Sequence, residues 1–488
     1  MIAPCRSAGG RAGRAAAAVV LALGAAAGSG CARQAPSKPV SIIWIVVDTL
    51  RADHLEWYGY MRATAPELRL LVERGVTFDR AYTSQPETTP AIASMLTSLY
   101  PYRHGVRRLY YRLNKRNVTA AQLLRSAGYA TGAFVSSFVM VRNFSNFTPG
   151  FDVYDDFVEE RESNRDNYER QAAGTLARAA AWIARHRSAP FFCFIHLIDP
   201  HGPYSPPGEF AHRFQSRPAP PIAEALIPAY QQIPGVTDPN RYRDLYDGEI
   251  AYASHELGRF FAGLEASGVF APSLIVFTAD HGEEMGEHGR WFDHGQDLFE
   301  QNVHIPLIVK PPAGLRAARG SRLRQPVSVV DLLPTVLEAA GLARPDFFQG
   351  RSLWAWIAGD RWGGGSGSGS ESGSGSGGAG ERGVFFTRNG QGLEAGLVQA
   401  GRKTILVGDG IEQFDLGADA AERQPLPPLR RDAFAAAGLR AWRAGAEAWK
   451  RNFAVEVNSM DYALRGAFVR GRRDRDESLR RLRSLGYL

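Results

Sequence analysis

The chain has 488 residues, of which 44% are hydrophobic and 22% charged, the profile of an ordinary globular protein. That length exceeds the roughly 250–300 residues at which a single core stops growing, so a large domain with a smaller companion is expected. The formal charge of +7, from 57 basic and 50 acidic residues, is concentrated at the two ends; the body is close to neutral, which argues against nucleic acid as a partner.

Arg6, Arg11 and Arg14 precede an Ala/Val/Leu-rich run from Ala15 to Ala27 and the small residues Gly28, Ser29, Gly30 and Cys31, the layout of a secretory leader. The run is too short and too rich in Ala and Gly for a membrane span. Cys31 stands where a bacterial lipoprotein signal places its lipidated cysteine, although Gly28 occupies a position where such signals usually carry Leu. Residues 1–39 are therefore assigned to a leader and spacer. The protein is expected to be exported, either free in a periplasm or held on a bacterial membrane through a lipidated Cys31. Cys5, Cys31 and Cys193 are the only cysteines, so no disulfide is expected, and Cys193 reads as a buried small hydrophobe.

Val40 to Val47 is an apolar, β-prone run that stops at Asp48, a buried strand with a carboxylate at its exit. Thr64 and Glu67, with Pro66 between them, have the spacing of a capping box opening a helix that Gly75 ends. Pro90 suits a first helical position and places Thr88 and Thr89 at the mouth of a second helix. A hydroxyl there faces free N–H groups and the positive end of the helix dipole, a setting for a tetrahedral anion or an alkoxide; the alternative is that one of the threonines simply caps the helix. Ala133–Ser137 suggests a short strand, and residues 163–187 carry apolar positions at helical spacing. Phe191–Ile198 is a third buried strand and runs into Asp199-Pro-His201-Gly-Pro203. The Pro-rich stretch 206–239 reads as a surface excursion near the site mouth.

From Tyr246 a helix carries Ile250, Ala253, Leu257, Phe261 and Leu264 in one stripe. The next strand, Leu274–Ala279, ends in Asp280-His281-Gly282, an adjacent acid and imidazole suited to a divalent metal. A polar loop with Glu283, Glu284, Glu287 and His288 leads through Asp293-His294-Gly295 to a strand at Val303–Val309. This alternation predicts an α/β domain over 40–360, a doubly wound, mostly parallel sheet with helices on both faces. In such sheets ligands bind beyond the carboxyl ends of the strands, which here would gather Asp48, Thr88, Asp199, His201, Asp280, His281 and His294. Residues 361–382 are Gly/Ser-rich linker. Residues 383–488 are expected to form a small α+β subdomain: short β segments in an antiparallel sheet, then a basic tail alternating Arg with Leu.

A cation held by Asp48, Asp280 and His281 beside a hydroxyl at a helix N-terminus would lower the hydroxyl's pKa and neutralise a bound oxyanion, while an imidazole such as His201 protonates a leaving oxygen. That points to transfer of a phosphoryl or sulfuryl group. At these residues the chain resembles the sulfatases and their relatives in the alkaline phosphatase superfamily. The resemblance is carried by Val47-Asp-Thr-Leu-Arg-Ala-Asp-His54, Thr88-Thr-Pro-Ala-Ile-Ala-Ser-Met-Leu-Thr97, Asp199-Pro-His-Gly-Pro-Tyr204, Thr278-Ala-Asp-His-Gly-Glu283 and Phe414-Asp-Leu416, spread over about residues 40 to 430 in consistent order. It implies the alkaline phosphatase fold, Asp48, Thr88, Asp280 and His281 as metal ligands, Thr88 as nucleophile, and His201 as a substrate-contacting acid. His294 would take the place of a later catalytic lysine, with a one-residue gap.

The departures bear on activity. Formylglycine sulfatases carry Cys or Ser where Thr88 stands and Arg where Ile92 stands, and their Gly-Lys-Trp-His segment has no counterpart after Gly128-Tyr-Ala-Thr131, so no formylglycine is expected and two cationic sulfate contacts are missing. Thr88 instead looks like the nucleophile of the superfamily's phosphodiesterases and phosphoethanolamine transferases. One divalent ion is expected, with Zn²⁺ or Mn²⁺ favoured and Ca²⁺ the alternative, because the ligands mix carboxylate, hydroxyl and imidazole. The expected function is hydrolysis of a small anionic phosphate or sulfate ester. The alternatives are phosphoryl-group transfer of the phosphoethanolamine type, or a non-catalytic member that keeps the fold for binding.

Overall fold

A computed structural model describes residues 39–158, 169–359, 382–389 and 393–452. The leader with Cys31, the Gly/Ser-rich linker and the Arg-rich tail lie outside these residues. Nine strands form the central sheet: β1 (Ile42–Val47), β2 (Val76–Tyr82), β3 (Ala130–Val135), β4 (Val153–Asp155), β5 (Phe191–Leu197), β6 (Leu274–Ala279), β7 (His304–Lys310), β8 (Arg322–Leu323) and β9 (Val327–Ser328). Their spatial order is β4-β3-β5-β1-β6-β7-β2-β8, with β9 also on β2. From β4 to β6 all pairings are parallel, and β7 runs antiparallel to both β6 and β2. The expected mostly parallel α/β sheet is therefore present. Every residue of β1, β5 and β6 is buried, as uninterrupted apolar strands covered on both faces must be.

Local readings differ in four places. The strand β2 went unread because Asp79 and Arg80 interrupt its apolar run, and both lie where it bulges against β7. The capping box at Thr64 and Glu67 does not form: Thr64 Oγ1 donates to His54 O and Glu67 accepts from Ser254 Oγ at 2.7 Å, ahead of a 3₁₀ turn Pro66–Leu68 and the helix Arg69–Arg74. The helix expected from Tyr246 begins seven residues earlier, at Pro239–Ala266, capped by Asp238 Oδ1 accepting from Asn240 N at 3.0 Å. Of the helix expected over 163–187, Ala172–His186 is present, and residues 159–168 lie outside the described ones.

The small antiparallel sheet is present as β10 (Val384–Asn389), β11 (Leu393–Gln399), β12 (Arg402–Val407) and β13 (Gly410–Asp415), paired in chain order. The helix Ala433–Asn452 packs on it, with Trp442 stacked on Phe385 at 4.8 Å and edge-on to Tyr100 and Tyr102 of the large domain. Among the described residues no helix is long and apolar enough to cross a membrane. The two sheets are also joined by charge: the fully buried Lys403 Nζ lies 3.0 Å from Glu422 and 3.1 Å from Glu300, and Glu422 accepts from Glu300 N at 2.5 Å. Glu300 opens the turn into β7, next to the carboxyl edge of β6. Lys403→Met would leave these carboxylates uncompensated, so it should lower unfolding free energy by about 3 kcal/mol or more; urea melts of the two proteins read this directly, and an unchanged midpoint would contradict it.

Candidate active site

Register places the acids. Val47 of β1 is level with Leu197 of β5 and Ala279 of β6, so Asp48 and Asp280 leave adjacent parallel strands side by side. Both are fully buried. The two carboxylate oxygens of Asp280 are used differently. Oδ1 accepts from Thr49 N at 3.2 Å and His281 N at 2.8 Å, whereas Oδ2 has no hydrogen-bond partner among the described residues. Thr49 reaches Oδ1 through a left-handed backbone, φ 51°, unusual for a β-branched residue. Tyr246 holds that turn, donating to Thr49 O at 2.7 Å and accepting from Arg51 N at 3.0 Å. The Arg51 guanidinium, spanning Asp53, Glu287 and Glu283 O, clamps the loop after β1 to the loop after β6.

Thr88 is the first residue of the helix Thr88–Thr97, with Glu87 at the cap and Pro90 two positions inside. The helix therefore starts earlier than Pro90, and neither threonine caps it. Thr88 Oγ1 instead lies 3.5 Å from Asp48 Oδ2 and 3.3 Å from His281 Nε2, while Thr89 Oγ1 turns away to Arg108 O. His281 Nε2 is 3.6 Å from both Asp48 Oδ1 and Asp280 Oδ2. Its Nδ1 donates to Gly282 O at 3.0 Å, which leaves the Nε2 lone pair facing the acids, the tautomer a metal ligand needs.

The two further histidines stand at the mouth, each 6% exposed. The ring of His294 is 4.5 Å from that of His281 and 5.2 Å from that of His201. His201 Nδ1 donates to Gly202 O at 2.6 Å, and His294 Nδ1 is 3.3 Å from Glu283 Oε1, within reach of a shared proton. The structure thus brings Asp48, Thr88, Asp280, His281, His201 and His294 together. Asp199 is not among them: its Oδ2 accepts from Ala172 N at 3.0 Å, at the start of the helix Ala172–His186.

His196 was missed. It lies inside β5, level with Val46, and alternation along the strands puts it on the face that Asp48 and Asp280 occupy. Its Nε2 is 3.6 Å from Asp48 Oδ2 and 3.9 Å from Asp280 Oδ2, and the three residues together could hold an ion. The available signal was a lone polar residue in an otherwise apolar, fully buried strand.

The electrostatics agree with a cation-binding centre. Burial, then the nearby Asp280, pushes the Asp48 carboxyl well above its ordinary range. Against the upward push of burial, the imidazoles of His281 and His196 hold Asp280 at about 2. Burial lowers His281 to about 4 and His201 to about 3, and lowers His294 as well, so these rings rest neutral. The donor set fits a divalent ion: Asp48 Oδ1 and Asp280 Oδ2 are buried oxygens without hydrogen bonds among the described residues, and gaps of 3.3–3.6 Å between donors suit atoms each about 2.0–2.2 Å from one shared ion.

The sulfatase family model matches residues 41–342, well over half of the sequence. The chain belongs to the sulfatase family. It is 25% identical over 340 residues to the ulvan-active sulfatase of Formosa agariphila, a match covering 65% of each protein. It is 27% identical to the multifunctional alkaline phosphatase superfamily protein PehA of Trinickia caryophylli, over 65% of this chain and 77% of that one. Among solved structures, the phosphonate monoester hydrolase of Agrobacterium radiobacter superposes with a TM-score of 0.62 at 20% identity, covering 85% of this chain and 96% of that one. BT4656, solved with its substrate D-glucosamine-2-N,6-O-disulfate, gives 0.66 at 18% identity over 86% and 99%. The sulfatase-like fold expected from the sequence is thereby established.

Because its raised carboxyl favours the acid form, the Asp48 contribution to stability in the ion-free chain is full below the ordinary carboxylate range and is lost as pH rises toward the raised value. Asp48→Asn removes that loss. Stripped with a chelator, the variant should melt above the unmodified chain at about pH 8, with the gap closing toward about pH 4. Added Zn²⁺ or Mn²⁺ should stabilise only the unmodified chain, by about 4 kcal/mol at a thousandfold excess over the dissociation constant; equal responses would exclude Asp48 from the site.

Proposed function

We propose that this family member is a metal-dependent hydrolase of phosphate or sulfate esters in which Thr88 is the nucleophile, Asp48, Thr88, Asp280 and His281 hold one divalent ion, and no formylglycine is formed. The observation that carries this reading is the Thr88 hydroxyl, released from helix capping and set between an acid and an imidazole. A bound ion would lower the pKa of that hydroxyl and offset charge on the substrate's oxygens. The Thr88 oxygen forms the new bond to phosphorus or sulfur as the bond to the alcohol oxygen breaks. His201 and His294, neutral at rest, carry the proton from the Thr88 hydroxyl to the leaving oxygen, then take one from the attacking water and return it to the Thr88 oxygen as the bond from Thr88 to the transferred group breaks.

Phosphorus is favoured over sulfur. Ile92, one turn after Thr88 on the same helix face, is buried in the apolar core and brings no charge to the substrate. A phosphate monoester, carrying more charge than a sulfate monoester, gains more from the ion and from the positive end of the helix Thr88–Thr97. The substrate is expected to be a small anionic ester met outside the cytoplasm, with the leader delivering the chain and Cys31 tethering it.

Thr88→Ala should abolish turnover of p-nitrophenyl phosphate, with a loss of at least about 10³-fold, whereas Thr89→Ala should keep most of it. Parallel assays on phosphodiester, phosphonate and sulfate esters rank the substrate class. Activity on the sulfate ester alone would reverse the preference for phosphorus. A wild-type chain that binds no metal and turns over none of these esters would point to a binding role.

A further inference from the structure

His196 and His104 are both buried histidines, and they differ in one respect. The His104 ring is satisfied on both sides: Nε2 lies 2.9 Å from Ser94 Oγ, and Nδ1 accepts from Val106 N at 3.0 Å. That is how a histidine serving only the core behaves. The His196 side chain is fully inaccessible, yet neither of its ring nitrogens has a hydrogen-bond partner among the described residues. Its neighbour on the same face of β5 is the apolar Phe194, so the strand itself gives the ring no polar company. Its Nε2 faces carboxylate oxygens that also lack partners or face Thr88: Asp48 Oδ2 at 3.6 Å and Asp280 Oδ2 at 3.9 Å. These distances are too long for hydrogen bonds but fit donors facing a common ion.

We propose that His196 is a further donor to the ion held by Asp48, Thr88, Asp280 and His281, and that the pair of imidazoles makes the centre select Zn²⁺-like ions against Ca²⁺. This rests on the metal centre of the proposed function and adds its specificity. His196 sits one pleat deeper in the sheet than the acids, since it is level with Val46 while Asp48 lies two residues beyond. His196 therefore approaches from the floor of the site. Ca²⁺ prefers six to eight oxygens, and imidazole nitrogen suits Zn²⁺, Mn²⁺ or Co²⁺. One imidazole among oxygens biases that choice, and a second from a rigid central strand strengthens it. Because Asp280 Oδ1 is already committed to two backbone N–H groups, the acid cannot offer both oxygens to a larger ion without breaking them.

X-ray absorption on the full unmodified chain loaded with Zn²⁺ counts the imidazoles around the ion without any substitution. Two are expected, from His196 and His281; a bound ion with a single imidazole overturns the role of His196 and leaves the proposed function standing. In dialysis against equimolar Zn²⁺ and Ca²⁺, His196→Leu should lower the bound Zn²⁺-to-Ca²⁺ ratio by about tenfold or more, since loss of even an outer-shell partner costs about 10–100-fold in metal affinity. An unchanged ratio in a folded variant overturns the proposal. Asp280→Ala, run in parallel, should bind neither ion at this site. Uptake by Asp280→Ala equal to that of the unmodified chain, or no uptake by any form, overturns both this inference and the metal centre on which it rests.

Discussion

Parallel pairing of β1 with β6 forces two carboxylates, Asp48 and Asp280, to leave the sheet side by side with no access to water. Their oxygens and the His196 nitrogen lie within 4.8 Å of one another. At an effective dielectric of about 20, two unit charges at that separation repel by roughly 3–4 kcal/mol. That is a large part of the roughly 5–15 kcal/mol by which a domain is stable. A fold that keeps both acids must supply a proton or a cation, and most of the surrounding architecture can be understood as holding the acids in place for one.

The holding is done by backbone as much as by side chains. Thr49 bends into a left-handed conformation so that its N–H reaches Asp280, and Tyr246, from the long helix Pro239–Ala266, secures the bend through both the carbonyl of Thr49 and the amide of Arg51. Beside it in the same helix, Asp247 binds His54 Nδ1 at 2.7 Å and Tyr60 at 2.7 Å, fixing the remainder of the loop after β1. The His54 that closes the first motif is thus scaffolding rather than site. Strain at one residue is tolerated because several independent contacts determine its position. The result is that the free oxygen of Asp280 has one orientation, toward His281 and His196.

Strand exits were legible in the sequence because a buried strand must be apolar and any polar residue just past its end is conspicuous. Asp48, Asp280, His281 and His201 stand out that way as candidates, and Thr88 by Pro90 two residues on. The same logic over-reached at Asp199, which also follows a strand but turns to cap a neighbouring helix; whether a polar exit residue faces the site or a helix end depends on the direction of its side chain, which composition does not carry. His196 was invisible for the opposite reason. It sits within its strand, and only the register against Val46 reveals that its side chain shares a face with the acids. The Thr64 and Glu67 spacing misled because two tertiary partners, His54 O and Ser254, outcompeted the local cap.

The small sheet bears on the site through the turn that leads into β7. Glu300 in that turn is tied by its own N–H to Glu422 and by its carboxylate to Lys403, and β7 then lies against β6, the strand that delivers Asp280. Two residues farther back from Glu300, Leu298 is buried in a cluster with Val384, Phe386, Val398, Ile405 and Phe414 of the small sheet. The loop 281–299, which carries His281 at one end and His294 near the other, is thereby anchored at its start by β6 and at its end by the second sheet. His294 Nδ1 stands beside Glu283 of the same loop, so its distance from His281 is set by how tightly that loop is drawn between the two anchors. The spacing between the His281 and His294 rings is thus a property of the joint between the two sheets.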